Sequence, residues 1–377
     1  MPIWPEGSTL CPRLHAASRP EGHSPVGAPW QLPRFRPRPL GRDLIKRAHR
    51  DRHLATGEPL RQLDDVDFLV GVFDGTREGS LRFCEPGKGL LAQSAPVPPL
   101  VQLPELLAAS RSVAKDEAGT SQVKELLDAG SGPLGGARPK ASVCDGDRLL
   151  LAKLSHPGDQ WDVMAWEEAA WAMAHAAGIA TPAAQLVRIG RESALLLERF
   201  DREGSKLEGR RIGYLSAMSV LGAQDGEGRD HAELAEAAAG IADDVEGQLR
   251  ALFARTALSV ALNNTDDHLR NRGFLRTGGG WALSPLFDVN PCPYQDALRM
   301  TSIVDQAGSR EAEGLRDLTA YAGLGREEAA NLVACVLSAT GQWRSHAQRN
   351  RCSEREMRMF EPVFESKRHD LERAFGL

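Results

Sequence analysis

Asp266 and Asn271 stand five positions apart in the polar stretch Asn264-Thr265-Asp266-Asp267-His268-Leu269-Arg270-Asn271, between an apolar helical run at 252–262 and a Gly-Phe-Leu strand start at 273–275. A carboxylate in such a loop can accept the proton of a substrate hydroxyl, and an amide nearby can hold a divalent cation. Downstream, Leu283-Ser284-Pro285-Leu286-Phe287-Asp288-Val289 ends an apolar, strand-like run on a second acid, where a metal-binding carboxylate belongs. Two carboxylates and one amide converging from neighbouring strand ends point to phosphoryl transfer. The spacing selects Asp266, not its neighbour Asp267, as the working acid, so Asp267→Asn is expected to be tolerated far better than Asp266→Asn. Taken alone, Asn263-Asn264-Thr265 also fit an ordinary turn at a helix C-terminus with solvated side chains. The elements upstream have to decide.

At 130–140 the composition shifts abruptly to glycine, and two strands are expected at 140–144 and 148–154, joined by the tight hairpin Asp145-Gly146-Asp147. Gly135 and Gly136 let backbone approach a nucleotide, and Lys153 near the end of the second strand pairs with its phosphates. The run 163–177 reads as a helix closed by Gly178, with Glu167 one turn in. In the kinase template an acid on that helix fixes the lysine; the plainer reading is a first-turn acid favoured by the helix dipole. Strands at 185–189 and 193–201 turn around Gly190 and leave Glu198 and Phe200 where a hinge between two lobes would meet adenine. Helices are expected at 212–221 and 233–239, separated by a charged, Gly-rich loop at 224–230. From 317 to 377 the chain is helical, with Leu332, Val333, Val336 and Leu337 at core spacing and the basic run 344–355 on a solvated face.

Residues 1–39 hold nine prolines and no apolar periodicity, so they cannot bury enough surface to offset ordering entropy and are read as a disordered tail. Beyond it, helices are expected at 41–50, 64–70, 103–109 and 121–129, with a strand-like segment at 79–83. The 377 residues suit two domains or one large two-lobed enzyme, and the net charge of −5 gives no global attraction to nucleic acid. No apolar run approaches the roughly 20 residues a membrane helix needs. Six scattered cysteines without a Cys-x-x-Cys pair argue for a reduced, cytoplasmic setting.

Gly-Gly-Ala-Arg-Pro-Lys (135–140), Leu-Ala-Lys (151–153), Glu-Arg-Phe-Asp-Arg (198–202), Asn-Thr-Asp-Asp-His-Leu-Arg-Asn (264–271) and Leu-Ser-Pro-Leu-Phe-Asp-Val (283–289) resemble, in order and spacing, the HipA family of bacterial serine/threonine kinases, toxins of type II toxin–antitoxin modules. The resemblance covers about 40–365. It implies an α+β fold similar to an atypical protein kinase: a truncated N-terminal accessory subdomain at 40–129, a mixed small lobe at 130–202 and an all-helical C-lobe at 203–377. It implies ATP and Mg²⁺ as cofactors, Asp266 as catalytic base, Asn271 and Asp288 as metal ligands, and Lys153 as the phosphate-pairing lysine. His268 would face the γ-phosphate, and Glu198 and Phe200 would line the adenine site. The implied partners are a HipB-like helix-turn-helix antitoxin, with DNA reached only through it, and a protein substrate such as an aminoacyl-tRNA synthetase, besides autophosphorylation. Two departures stand out. Pro133 replaces the serine of the family's glycine-rich loop, with Ser131 the nearest serine, and the expected N-terminal strands are missing before Gly41. A degenerate antitoxin-binding or co-repressor module and a small-molecule or lipid kinase are the alternative readings.

Overall fold

The computed structural model describes residues 39–377 except 58, 88, 92–95, 116, 131–137 and 225. The proline-rich tail and the loop carrying Ser131, Pro133, Gly135 and Gly136 therefore lie outside the described residues. The helices expected first all form: α1 (Pro39–Thr56), α2 (Asp65–Val70), α3 (Leu103–Ala114) and α4 (Thr120–Asp128). Asp64 starts α2 through a reciprocal cap, its carboxylate accepting from the Asp67 N–H while Asp67 accepts from the Asp64 N–H. The strand-like segment at 79–83 is not a strand. The Gly79 N–H is taken by the Asp201 carboxylate at 2.7 Å and Arg82 is drawn to Asp74, so pairing begins only at β1 (Cys84–Glu85) with β2 (Gly89–Leu90).

β3 (Lys140–Asp145), β4 (Arg148–Leu154), β5 (Ala184–Ile189) and β6 (Glu192–Glu198) form an antiparallel sheet in the order β3-β4-β6-β5. The expected hairpin closes with Asp145 opposite Arg148 and Gly146 at φ +61°, a conformation glycine adopts without steric cost. Because successive side chains alternate across a strand, Ala141, Val143, Leu150, Ala152, Leu154, Ala194 and Leu196 share a core with residues of α1, α3 and α4. Leu195 and Leu197 belong to the other core, with α5 (Val163–Ala176). Lys153 pairs with Leu195 and directly with Lys140, so both lysines emerge on the α5 side.

The larger lobe begins with β7 (Tyr214–Ser216) and a single turn, α6 (Ala217–Val220), where a helix over 212–221 was expected. Tertiary pairing overrides helical propensity here: Tyr214 to Ser216 pair with β8 (Gly273–Arg276), which in turn pairs with β9 (Trp281–Leu283). Gly273 is required by that pairing, since a Cβ would collide with the Tyr214 ring. The rest is helical: α7 (His231–Ile241), α8 (Val245–Ala261), α9 (Glu311–Tyr321), α10 (Arg326–Thr340), α11 (Trp343–Arg349) and α12 (Glu354–Phe375). Trp166 of α5 stacks on Phe360 of α12 with centroids 3.8 Å apart, joining the small lobe's helix to the C-terminal one. No helix among the described residues is long and apolar enough to cross a membrane.

Candidate active site

α8 ends where Asn263 takes φ +48°, a left-handed conformation asparagine tolerates better than most residues. Its amide donates to the carbonyls of Cys292 and Tyr294 at 3.0 and 2.9 Å, and the Asn264 side-chain oxygen accepts from the Asn290 N–H at 3.3 Å. The loop after α8 is thereby tied to the segment following Asp288. Within the loop, Asn271 Nδ2 donates to the Asp266 carbonyl at 2.9 Å, so the five-residue spacing is closed by a direct hydrogen bond. The Asp266 side chain is 60% exposed, with His268 Nε2 3.7 Å from its carboxylate. Asp267 turns the opposite way: 3% exposed, it accepts from Ser259 Oγ at 2.8 Å, from Arg272 at 2.7 and 3.0 Å and from Arg299 at 3.0 Å. Asp267→Asn was expected to be tolerated far better than Asp266→Asn; the buried, arginine-bonded position of Asp267 gives a structural reason to expect a cost from that change too.

Lys153, Glu167 and Asp288 come together from β4, α5 and the segment after β9: the Lys153 ammonium is hydrogen-bonded to both carboxylates. Glu167 is buried, so it is an interior partner of the lysine and not a solvated first-turn acid. Burial opposes the charge on Lys153, but Asp288 and Glu167 outweigh it and raise its pKa. Burial would likewise raise the Asp288 carboxyl, yet the ammonium groups of Lys140 and Lys153 hold it far below the ordinary carboxyl range. Glu167 is raised, with burial the largest cause and Lys153 opposing it. Asp288 also sits at φ +55°, a sparsely populated conformation of the kind that clusters at functional sites.

Lys140 was not singled out as a site residue, and it lies 3.1 Å from Asp288. The signal was present: Lys140 closes the Gly-Gly-Ala-Arg-Pro-Lys motif, and a two-residue hairpin places it opposite Lys153. The Glu198 carboxylate lies 3.0 Å from Arg148, while the N–H groups of Glu198 and Arg199 go to the carbonyls of Ala183 and Leu149. Phe200 tilts against Phe287 with centroids 5.7 Å apart, next to Asp288.

Asn271 and Asp288 line one narrow cavity. Mg²⁺ prefers hard oxygen donors and is usually held by one or two protein groups, with water and phosphate oxygens completing an octahedron. One carboxylate and one amide fit that requirement. Among the described residues no group of three or more His, Cys, Asp or Glu could hold a metal unaided, so phosphates would have to complete the shell.

The model for the HipA-like C-terminal domain matches residues 132–343. No curated protein matches the chain. Among solved structures, HipA of the Shewanella oneidensis MR-1 toxin–antitoxin system, determined with HipB and its operator DNA, superposes with a TM-score of 0.53 at 18% identity over 65% of each chain. The chain thus spans just under two thirds of that protein's length. The proinflammatory kinase CtkA of Helicobacter pylori gives a TM-score of 0.44 at 12% identity, over 64% of this chain and 93% of that one.

Proposed function

The chain belongs to the HipA-like C-terminal domain family, and from its site we propose that it is an ATP- and Mg²⁺-dependent serine/threonine protein kinase. The observation that carries this reading is the junction of Lys153, Glu167 and Asp288 beside a loop whose Asp266 faces solvent. Asp266, held from behind by the buried Asp267, orients a substrate hydroxyl and accepts its proton. Lys153, fixed by Glu167, and Lys140 beside it pair with phosphate oxygens, releasing Asp288 from the ammonium groups that hold it here. Asn271 and Asp288 would hold Mg²⁺, which neutralises charge on the β- and γ-phosphates. Positioning supplies most of the rate, since little covalent chemistry is asked of the protein.

The family and the shared HipA fold support a toxin acting with a HipB-like helix-turn-helix antitoxin and touching DNA only through it. A protein hydroxyl, such as one on an aminoacyl-tRNA synthetase, is the proposed acceptor. Titration calorimetry tests the nucleotide site. The wild type should bind ATP far more tightly with Mg²⁺ than without, and Asp288→Asn should lose about tenfold or more of that gain. Absence of Mg²⁺-dependent ATP binding by the wild type would favour a degenerate binding module and overturn the kinase reading.

A further inference from the structure

Thr265 and Asp266, the two residues that present the outward-facing carboxylate, are bracketed by oxygens that converge on one buried guanidinium. Arg299 Nη1 lies 2.8 Å from the Asn264 carbonyl before them, 3.0 Å from the Asp267 carboxylate after them and 2.7 Å from Ser259 Oγ of α8. The Met300 N–H, next along, donates to the Thr265 carbonyl at 3.0 Å. Arg299 belongs to the segment after Asp288, so one side chain ties that segment to both ends of the turn. Its other edge faces α9: Nε donates to Glu311 at 3.1 Å, and Nη2 lies 3.4 Å from the second carboxylate oxygen. Glu311 in turn accepts from Lys367 of α12 at 2.8 Å, and Lys367 also donates to the Gly308 carbonyl at 3.2 Å. Arg299, Glu311 and Lys367 are all buried, so a chain of charges runs through the interior from the last helix to the loop.

Buried ion pairs are a weak source of stability, because desolvation offsets their attraction, and their best-attested use is to fix register. A guanidinium suits that use: its planar fork directs hydrogen bonds to several acceptors at once, where an ammonium is a point charge. Burial would raise the Glu311 carboxyl, but Arg299 and Lys367 lower it, so it stays ionised between them. We propose that Arg299, buttressed by Glu311 and Lys367, is a positioning residue for phosphoryl transfer: it fixes both flanks of the turn and so sets where the Asp266 carboxylate meets the acceptor hydroxyl. This role rests on the kinase reading above, and it makes the last helix part of the support of the site.

The full chain is tested with γ-labelled ATP and Mg²⁺, casein and the chain itself serving as acceptors, and rates are normalised to folded protein by the calorimetric ATP stoichiometry. Arg299→Met removes the fork, whereas Glu311→Gln combined with Lys367→Met removes both charges of the buttress together and leaves Arg299 on Asp267. A misplacement of about 1 Å costs roughly hundredfold, so Arg299→Met should lower kcat by roughly that factor and the double variant by about tenfold, with the KM for ATP within about twofold of the wild type. Amide hydrogen exchange over 264–268 should be about tenfold faster or more in both variants, while the β5 and β6 hairpin exchanges as before. A kcat per folded molecule equal to that of the wild type, or loop exchange as slow as in the wild type, overturns the positioning role and leaves Arg299 a packing residue. A wild type that labels neither acceptor overturns the kinase reading instead, and loop exchange then decides whether Arg299 holds the turn. If Arg299→Met fails to fold, the double variant decides.

Discussion

Asp266 and Asp267 are adjacent carboxylates with opposite surroundings, one 60% exposed and the other 3%. Burial would raise the Asp267 carboxyl, but Arg272, His231 and Arg299 hold it well below the ordinary range. Asp267→Asn would leave two buried guanidinium groups facing a neutral amide, and breaking a buried ion pair costs about 3–5 kcal/mol. Urea unfolding should therefore find Asp267→Asn destabilised by about that amount, with Asp266→Asn within about 0.5 kcal/mol of the wild type. Equal stability of the two variants would contradict the anchoring role. The spacing to Asn271 was readable from the sequence, because it is a local property of one loop. The anchoring of Asp267 was not, because its partners Ser259, Arg272 and Arg299 include one 32 residues away.

At the scale of elements, Asp230 clamps two pieces of chain. Its carboxylate caps α7 through the Ala232 N–H at 2.7 Å and also accepts from the N–H groups of Val304 and Asp305 at 3.0 and 2.9 Å. Val304 and Asp305 lie at φ +47° and +59°, so this bend in the segment after Asp288 is costly unless held. Asp230→Ala should lose about 2–4 kcal/mol, combining a lost helix cap with unsatisfied N–H groups, and a loss no greater than an ordinary cap's ~1 kcal/mol would show that the bend holds itself. Elements with local signals were legible: Gly146 at the hairpin, Gly178 after α5, and the apolar period of α8. The segment at 212–221 was not, since its strand depends on β8, nearly sixty residues later.

For the whole molecule, the helices α1, α3 and α4 share one core with Ala141, Val143, Leu150, Ala152 and Leu196 of the sheet. Deleting residues 1–129 should expose that face and give aggregated protein by size-exclusion chromatography; a soluble monomer would show that the sheet stands alone. Elsewhere the N-terminal part is tied to the segment after β6 by Asp201, which accepts from Arg199, Arg202 and the Gly79 N–H. Burial would raise this carboxyl, but Arg199 and Arg202 lower it to about 2. A depressed carboxyl stabilises the fold above its unfolded value, so about 2 kcal/mol should be present above roughly pH 4 and be lost as the pH falls towards 2. Asp201→Asn should flatten that part of the acid-unfolding profile, and an unchanged profile would contradict it. Family and fold were legible because five short motifs keep their order along the chain. Lys140 was not singled out, because its importance depends on what the fold places opposite it. The most direct test of the account is phosphate transfer from γ-labelled ATP in the presence of Mg²⁺. The wild type should label a protein hydroxyl, and Asp266→Ala, folded and melting as the wild type does, should transfer nothing; label appearing with Asp266→Ala at the wild-type rate would contradict the assignment of the site.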